Sequence, residues 1–357
     1  MQFQTGEHNY LRRSQAESTA AELGCLFSGT APVPAMPKGE QSGSIPPLID
    51  NLEDAPALKI IFPQKKYEIL AIDGGSSVLA KGGNIEVIAW RAGCVSFDDI
   101  NRVDEKCPPP EILAYNRLTV QDILSDYLAD TDVTIVSQEQ PIRLVDELRW
   151  LEEWKLLSRL IENSRPQSLI LIDGSLHLNP LYNADSQHGL FKNAAEKKVY
   201  LAAVTKTSSL SIDRTTPIDI GIKNNTELNN SIWYKKINQK LKADSLWLGD
   251  IYLARLHSGA DKQYRVDLNR FDEDNTDEIM GMIASVSDDV EFAGYPYPLA
   301  AAHRLARIDS IFKQDMLNSL KIALDNSDFS LELWQYLTRD IHDKLNADIM
   351  ELTHNDQ

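Results

Sequence analysis

The chain has 357 residues, 43% of them hydrophobic, enough to bury a sizeable core as one large domain or two smaller ones. It carries 36 basic and 53 acidic residues, a formal net charge of −17. That balance argues against a general polyanion-coating role, because neutralising phosphates takes Lys and Arg, but it leaves room for a local basic groove, carboxylate-rich metal sites or docking on a basic partner.

Residues 1–24 are predicted to be helical, because "YLRRSQAESTAAELGCL" is rich in helix formers. The polar start shows no apolar segment of a secretory signal. Residues 28–57 are dense in Pro, Gly and Ser and read as an irregular connection. The expected organisation is therefore 1–57, a helix and a connection, followed by one folded domain over 58–357.

A strand-rich section begins near residue 67. "YEILAI" and "NIEVIAWRAGCVSF" are expected to pair across a turn at "AKGGN". Residues 110–129 read as a helix, and "VTIVS" reads as a short strand after it. The strongest helical pattern covers 141–163, where Trp150, Trp154, Leu157 and Ile161 form one apolar stripe. Strands are expected at "SLILI", "VYLAAVT", "LGDIYLARL" and "QYRVDL", and residues 299–350 are expected to be mainly helical. This order predicts an α/β domain with a mixed sheet and C-terminal helices. The longest apolar runs are strand-length, short of the roughly 18–20 residues of a membrane helix, so no membrane partner is expected. Cys25, Cys94 and Cys107 lack C-x-x-C spacing, which fits a reducing cytoplasm.

Two stretches carry the chemistry. "AIDGGSS" (71–77) and "SLILIDGSL" each place an aspartate, Asp73 and Asp173, after an apolar strand and before small residues that read as a turn. Strand C-termini line a ligand crevice in a covered sheet, and a following Gly lets the backbone approach a phosphate or metal. Two such aspartates on adjacent strands can share a divalent cation, since Mg2+ and Mn2+ prefer oxygen ligands and keep water and substrate phosphates in their shell. Two-metal sites with ions roughly 3.5–4 Å apart hydrolyse phosphodiesters. Two other readings stand beside this one. Each Asp can cap its own turn, or the pair can form phosphate loops like those of actin-like sugar kinases and ATPases. The second alternative lacks a Gly-rich adenosine loop in residues 258–357.

With "AIDGGSS", "LRWLEEWKLL", "LILIDGSL", "TKTSSL" and "GYPYPLAAAHRLARID" in that order, the chain resembles the NurA nuclease family. The resemblance runs from about Ile72 to Asp309. It implies an RNase H-like fold related to the Argonaute nuclease domain. It also implies Mn2+-dependent cleavage of single- and double-stranded DNA, as a 5'-3' exonuclease and single-strand endonuclease, with Mg2+ as the second candidate ion. A homodimer and a HerA-type hexameric ATPase partner in DNA end resection are implied as well.

Carried over by position, the resemblance assigns the family's two strand aspartates to Asp73 and Asp173, its late histidine to His303, and a lysine to Lys206. The glutamate of the preceding helix falls on Glu152 or Glu153. On a helical wheel Glu153 lies among Trp150, Trp154, Leu157 and Leu160, whereas Glu152 lies near Lys155 and Arg159, on an expected solvated face. The implied metal set is Asp73, Glu153, Asp173 and His303, with Lys206 holding the scissile phosphate as a point charge. His177, four residues after Asp173, reads as a strand-turn histidine that reaches solvent. "WYKKINQKLK" (233–242) reads as an amphipathic helix or a single-strand-binding surface. The acidic run "FDEDNTDE" (271–278) leaves little basic surface, which favours dependence on a partner's DNA channel. A catalytically silent subunit that holds DNA or an ATPase remains the alternative of a different class.

Overall fold

The apolar runs pair into a single mixed sheet in the computed structural model, which describes residues 15–21, 56–98, 101–129, 131–136, 142–208, 231–237, 247–325, 334, 335 and 337. Its strands are β1 (Leu58–Lys59), β2 (Glu68–Gly82), β3 (Ile85–Asp98), β4 (Asn101–Lys106), β5 (Glu111–Asn116), β6 (Leu169–Asp173), β7 (Tyr200–Thr205), β8 (Trp233–Lys236), β9 (Gly249–Arg255) and β10 (Tyr264–Asn269). The helices are α1 (Val120–Leu128), α2 (Leu144–Asn163), α3 (Ala184–Glu196), α4 (Thr276–Ser285), α5 (Tyr297–Ala306) and α6 (Ser310–Asp325).

The strand order is β1-β8-β9-β10-β7-β6-β2-β3-β4, with β5 paired to β3. β2 and β3 form a long antiparallel hairpin from Glu68↔Asp98 to Gly82↔Ile85. Gly83, at φ 55°, supplies the left-handed turn residue between them. β6 runs parallel to β2 and β7 parallel to β6. Three antiparallel strands followed by two parallel ones, in the order β4-β3-β2-β6-β7, make this an RNase H-like mixed sheet flanked by helices. The parallel pairs need crossovers, and α2 and α3 provide them. β10, β9 and β8 extend the sheet in antiparallel fashion.

Alternation along β2 sorts its residues onto two cores. Ile69 and Ala71 pack with Leu171, Val266, Leu299 and Ala302 beneath α4 and α5. Leu70 and Ile72 pack with Ile170 and Leu201 against α2, whose Leu144, Leu148, Leu151, Trp154, Leu157 and Ile161 are buried. Each such side chain contributes about 1.5–3 kcal/mol when fully buried. Trp150 stacks between Trp154 and Tyr182, with ring centroids 5.2 and 4.8 Å away. A third cluster brings Ala20, from helical residues 15–21, onto Leu79, Val87, Met316 and Leu320. The expectations for residues 1–14 and 22–55, and most of those beyond 325, fall outside the described residues.

Several expectations are corrected. Residues 111–116 form β5 on the β3 edge, a 3-10 turn covers Arg117–Thr119, and the α-helix begins only at Val120. The described residues of "VTIVS" make an isolated bridge, Ile135↔Tyr182, and no named strand. "WYKK" is strand β8, whose Trp233 and Tyr234 are buried, so the expected helix is absent there; residues 238–242 lie outside the described set. No helix among the described residues is long and apolar enough to cross a membrane.

Candidate metal centre

Register places the two aspartates side by side. β2 and β6 pair in parallel up to Ile72↔Ile172, so Asp73 and Asp173 are the next residues on adjacent strands. β6 stops at Asp173, and Gly174, at φ 112°, turns the chain away. β2 does not stop. Asp73, Gly74 and Gly75 continue the ladder against Gly93, Ala92 and Arg91. The expected turn after Asp73 is thus a strand with one open edge. The backbone there is committed to a sheet, not shaped as a phosphate loop.

The two glycines serve opposite faces. A Cβ on Gly74 would lie 2.1 Å from Glu153 Oε1 and 2.7 Å from Arg149 Cγ, both on α2. A Cβ on Gly75 would lie 2.0 Å from the Ala306 carbonyl at the end of α5. Arg91, opposite Gly75, fixes that helix end by donating to the Ala306 and Arg307 carbonyls, each at 2.8 Å. Both helices therefore press directly onto the strand that carries Asp73.

His303, on α5, places Nδ1 2.7 Å from Asp73 Oδ2. Asp73, Asp173 and His303 each offer a ligand atom, and these atoms all lie within 4.8 Å of one another. The Gly74 amide donates to Asp73 Oδ1 at 2.8 Å. Asp173 receives two partners: the Tyr295 hydroxyl at 3.1 Å and Lys206 Nζ at 2.5 Å. Arg149 Nη1 lies 2.5 Å from Glu153 Oε1.

The electrostatics are strained. Burial raises the Asp73 pKa and the neighbouring Asp173 raises it further, against the opposing pull of His303 and the Gly74 amide. Burial pushes Glu153 up to about 7; Arg149 opposes that shift, while Asp73 and Asp173 add to it. Burial and the same two carboxylates raise the Tyr295 hydroxyl, which keeps it a donor. A cation among these groups would relieve the crowding. Two carboxylate oxygens and one imidazole nitrogen make a donor set suited to a divalent cation.

The other sequence-predicted residues separate. Glu152 points away from the centre: its carboxylate lies 2.7 Å from the Tyr127 hydroxyl and 3.5 Å from Lys155 Nζ. Its face is covered by α1 and not solvated as expected, with 18% of the side chain exposed. His177 bridges to Trp247 and packs edge-on against its ring, half-buried, with burial lowering its pKa. Sequence reasoning missed Tyr295, which sits in the quoted Tyr-Pro-Tyr-Pro segment, and Arg149. The signal for Arg149 was its i,i+4 spacing to Glu153.

No protein-family model matches the chain, and no curated protein matches it. Among solved structures, it is similar to the NurA nuclease from Sulfolobus solfataricus, with 18% identity, 77% of this chain and 89% of that chain covered, and a TM-score of 0.49. It is similar to a second NurA structure at 12% identity, covering 76% of this chain and 92% of that chain, with a TM-score of 0.45. A Ciona intestinalis Endonuclease V bound to a 24mer DNA containing an inosine matches at 14% identity, 69% and 86% coverage, and a TM-score of 0.35.

Proposed function

We propose that the chain is a divalent-metal-dependent nuclease that hydrolyses DNA phosphodiesters. The observation that supports this reading most is the convergence of Asp73, Asp173 and His303 ligand atoms within 4.8 Å of one another, from two adjacent strands and one helix. Asp73, Asp173 and His303 would hold the ion, with Mn2+ favoured by the imidazole. When bound, the ion supplies Lewis acidity and a water of lowered pKa.

The chain's own groups do the rest. Lys206 is 43% exposed at its side chain and rests on Asp173. With Asp173 serving as a metal ligand, Lys206 would be free to hold a phosphate oxygen as a point charge. Tyr295 donates to the other Asp173 oxygen and fixes its orientation. Glu153 brings a third carboxylate to the strand through the space that Gly74 leaves.

The motif order supports the finer reading: Mn2+ as the ion, 5'-3' exonuclease and single-strand endonuclease activity, a homodimer, and work in the cytoplasm with a HerA-type hexameric ATPase in end resection. The net charge of −17 favours the partner, because capturing duplex DNA unaided requires clustered Lys and Arg. Tight binding to blunt duplex at ~0.15 M salt without a partner would contradict that part.

The test is digestion of linear DNA in Mn2+ by the wild type and by Asp73→Ala, with circular dichroism to confirm that both are folded. The variant is expected to lose cleavage. Full activity in folded Asp73→Ala would overturn the assignment.

A further inference from the structure

The β9–β10 hairpin brings a second lysine to the edge of the centre. Lys262 stands two residues before β10, and its ammonium donates to the Lys206 carbonyl at 2.7 Å. It also lies over the Tyr264 ring, 5.0 Å from the centroid. Lys206 Nζ lies 5.5 Å from the Tyr295 centroid, and the two rings are in contact, with centroids 5.6 Å apart. Two ammoniums thus rest on two adjoining tyrosines. The inner pair, Lys206 and Tyr295, holds Asp173.

The hairpin is fixed against this surface. Arg255 Nη2 donates to the Ser258 carbonyl at 2.7 Å and reaches the Ala260 carbonyl at 3.4 Å. Ala260 is buried against Gly294, where φ is 89° and an added Cβ would lie 2.6 Å from the Ala260 Cβ. The glycine before Tyr295 therefore admits the loop that carries Lys262.

Charge sets Lys262 apart from the cations around it. Arg149, Lys206 and Arg304 each face a carboxylate. Among the described residues Lys262 faces a carbonyl and an aromatic ring, and no carboxylate, its neighbour Asp261 included, comes within ion-pair distance. An ammonium has three donors, and the Lys206 carbonyl takes one. The other two can meet an anion without breaking an ion pair.

We infer that Lys262 is a second phosphate clamp. With Lys206 on the scissile phosphate, Lys262 holds the neighbouring phosphate of a single strand that passes over Tyr295 and Tyr264. The inference rests on the nuclease reading above. A contact of this kind positions the strand and reads no sequence.

The test is binding of single-stranded oligothymidine and oligodeoxyadenosine by the full chain, over a range of salt, with Ca2+ in place of Mn2+ to hold off cleavage. Lys262→Gln keeps a donor for the Lys206 carbonyl and removes the charge. It should weaken both strands alike and reduce the slope of log affinity against log salt by about 0.7, the share of one phosphate contact. Lys262→Arg should restore the slope. In Mn2+, the loss in kcat/KM for Lys262→Gln should fall mainly on KM. A wild-type slope in folded Lys262→Gln, a loss confined to kcat, or a loss that Lys262→Arg does not restore would overturn the inference and leave the nuclease reading intact. If Lys262→Gln does not fold, a reduced slope in Lys262→Ala supports the inference and a wild-type slope overturns it. A wild type that neither binds these strands nor cuts them in Mn2+ would remove the nuclease reading, and the inference with it.

Discussion

Glu153 occupies the space that a side chain at Gly74 would fill: its Oε1 lies 2.1 Å from where the Cβ of residue 74 would stand. The strand and the helix are thus in contact through an absence, and the absence admits a carboxylate beside Asp73. Gly74→Ala should push Glu153 and Arg149 off the strand. Overpacking of this kind costs about 1–3 kcal/mol. The denaturation midpoint should fall accordingly, and cleavage should fall at least about tenfold, a loss of ~1.4 kcal/mol in transition-state stabilisation. Unchanged cleavage would separate Glu153 from the chemistry.

The two neighbouring glutamates should behave differently. Glu153→Gln should lower cleavage by at least about tenfold, since it removes the charge that anchors Arg149. Glu152→Gln should leave cleavage within about threefold and register in stability, because Glu152 meets Tyr127 and Lys155 and not the centre. Single-turnover rates beside melting curves read both. A larger loss in Glu152→Gln would place the catalytic face of α2 one residue earlier.

Much of this was legible in the sequence. The apolar stripe of α2 and the runs that became β2, β3, β6, β7, β9 and β10 follow from periodicity, because the core demands it. The wheel put Glu153 toward the sheet, and it lies there. What sequence could not show is tertiary. "IDGGSS" has the composition of a turn, yet β2 runs through it because two helices need a bare backbone there, one on each face. "EILAYN" has helix-forming residues, but the β3 edge recruits it as β5. Glu152 reads as solvated on a wheel that cannot see α1 folding over it. Tyr295 was hidden in plain view, since nothing in a Tyr-Pro repeat tells which ring reaches an aspartate 122 residues away.

The crowded carboxylates also set a pH dependence. Without metal, Glu153 titrates at about 7, above its unfolded value of about 4.3. A group whose folded pKa is raised gives stability that is complete below the unfolded pKa and lost as pH rises through the folded one. The metal-free protein should therefore lose stability between about pH 4.3 and 7, and Asp73, shifted in the same direction, adds to the loss. Mn2+ binding requires ionised ligands and the Asp73 pKa is raised, so its stabilising effect should grow as pH rises. Melting curves from pH 5 to 8 with and without Mn2+ test this. A metal-free melting temperature that climbs across the window through these groups, and does not flatten when Glu153 becomes Gln, would contradict the assigned shifts.

The central claim is that one cation is shared between adjacent strands. The direct measurement is a Mn2+-soaked crystal with anomalous diffraction collected at the manganese edge. The account predicts a peak bounded by Asp73, Asp173 and the His303 ring, with Lys206 swung off Asp173. A well-ordered site with no peak there, or manganese bound elsewhere while the His303–Asp73 and Lys206–Asp173 contacts persist, would contradict it.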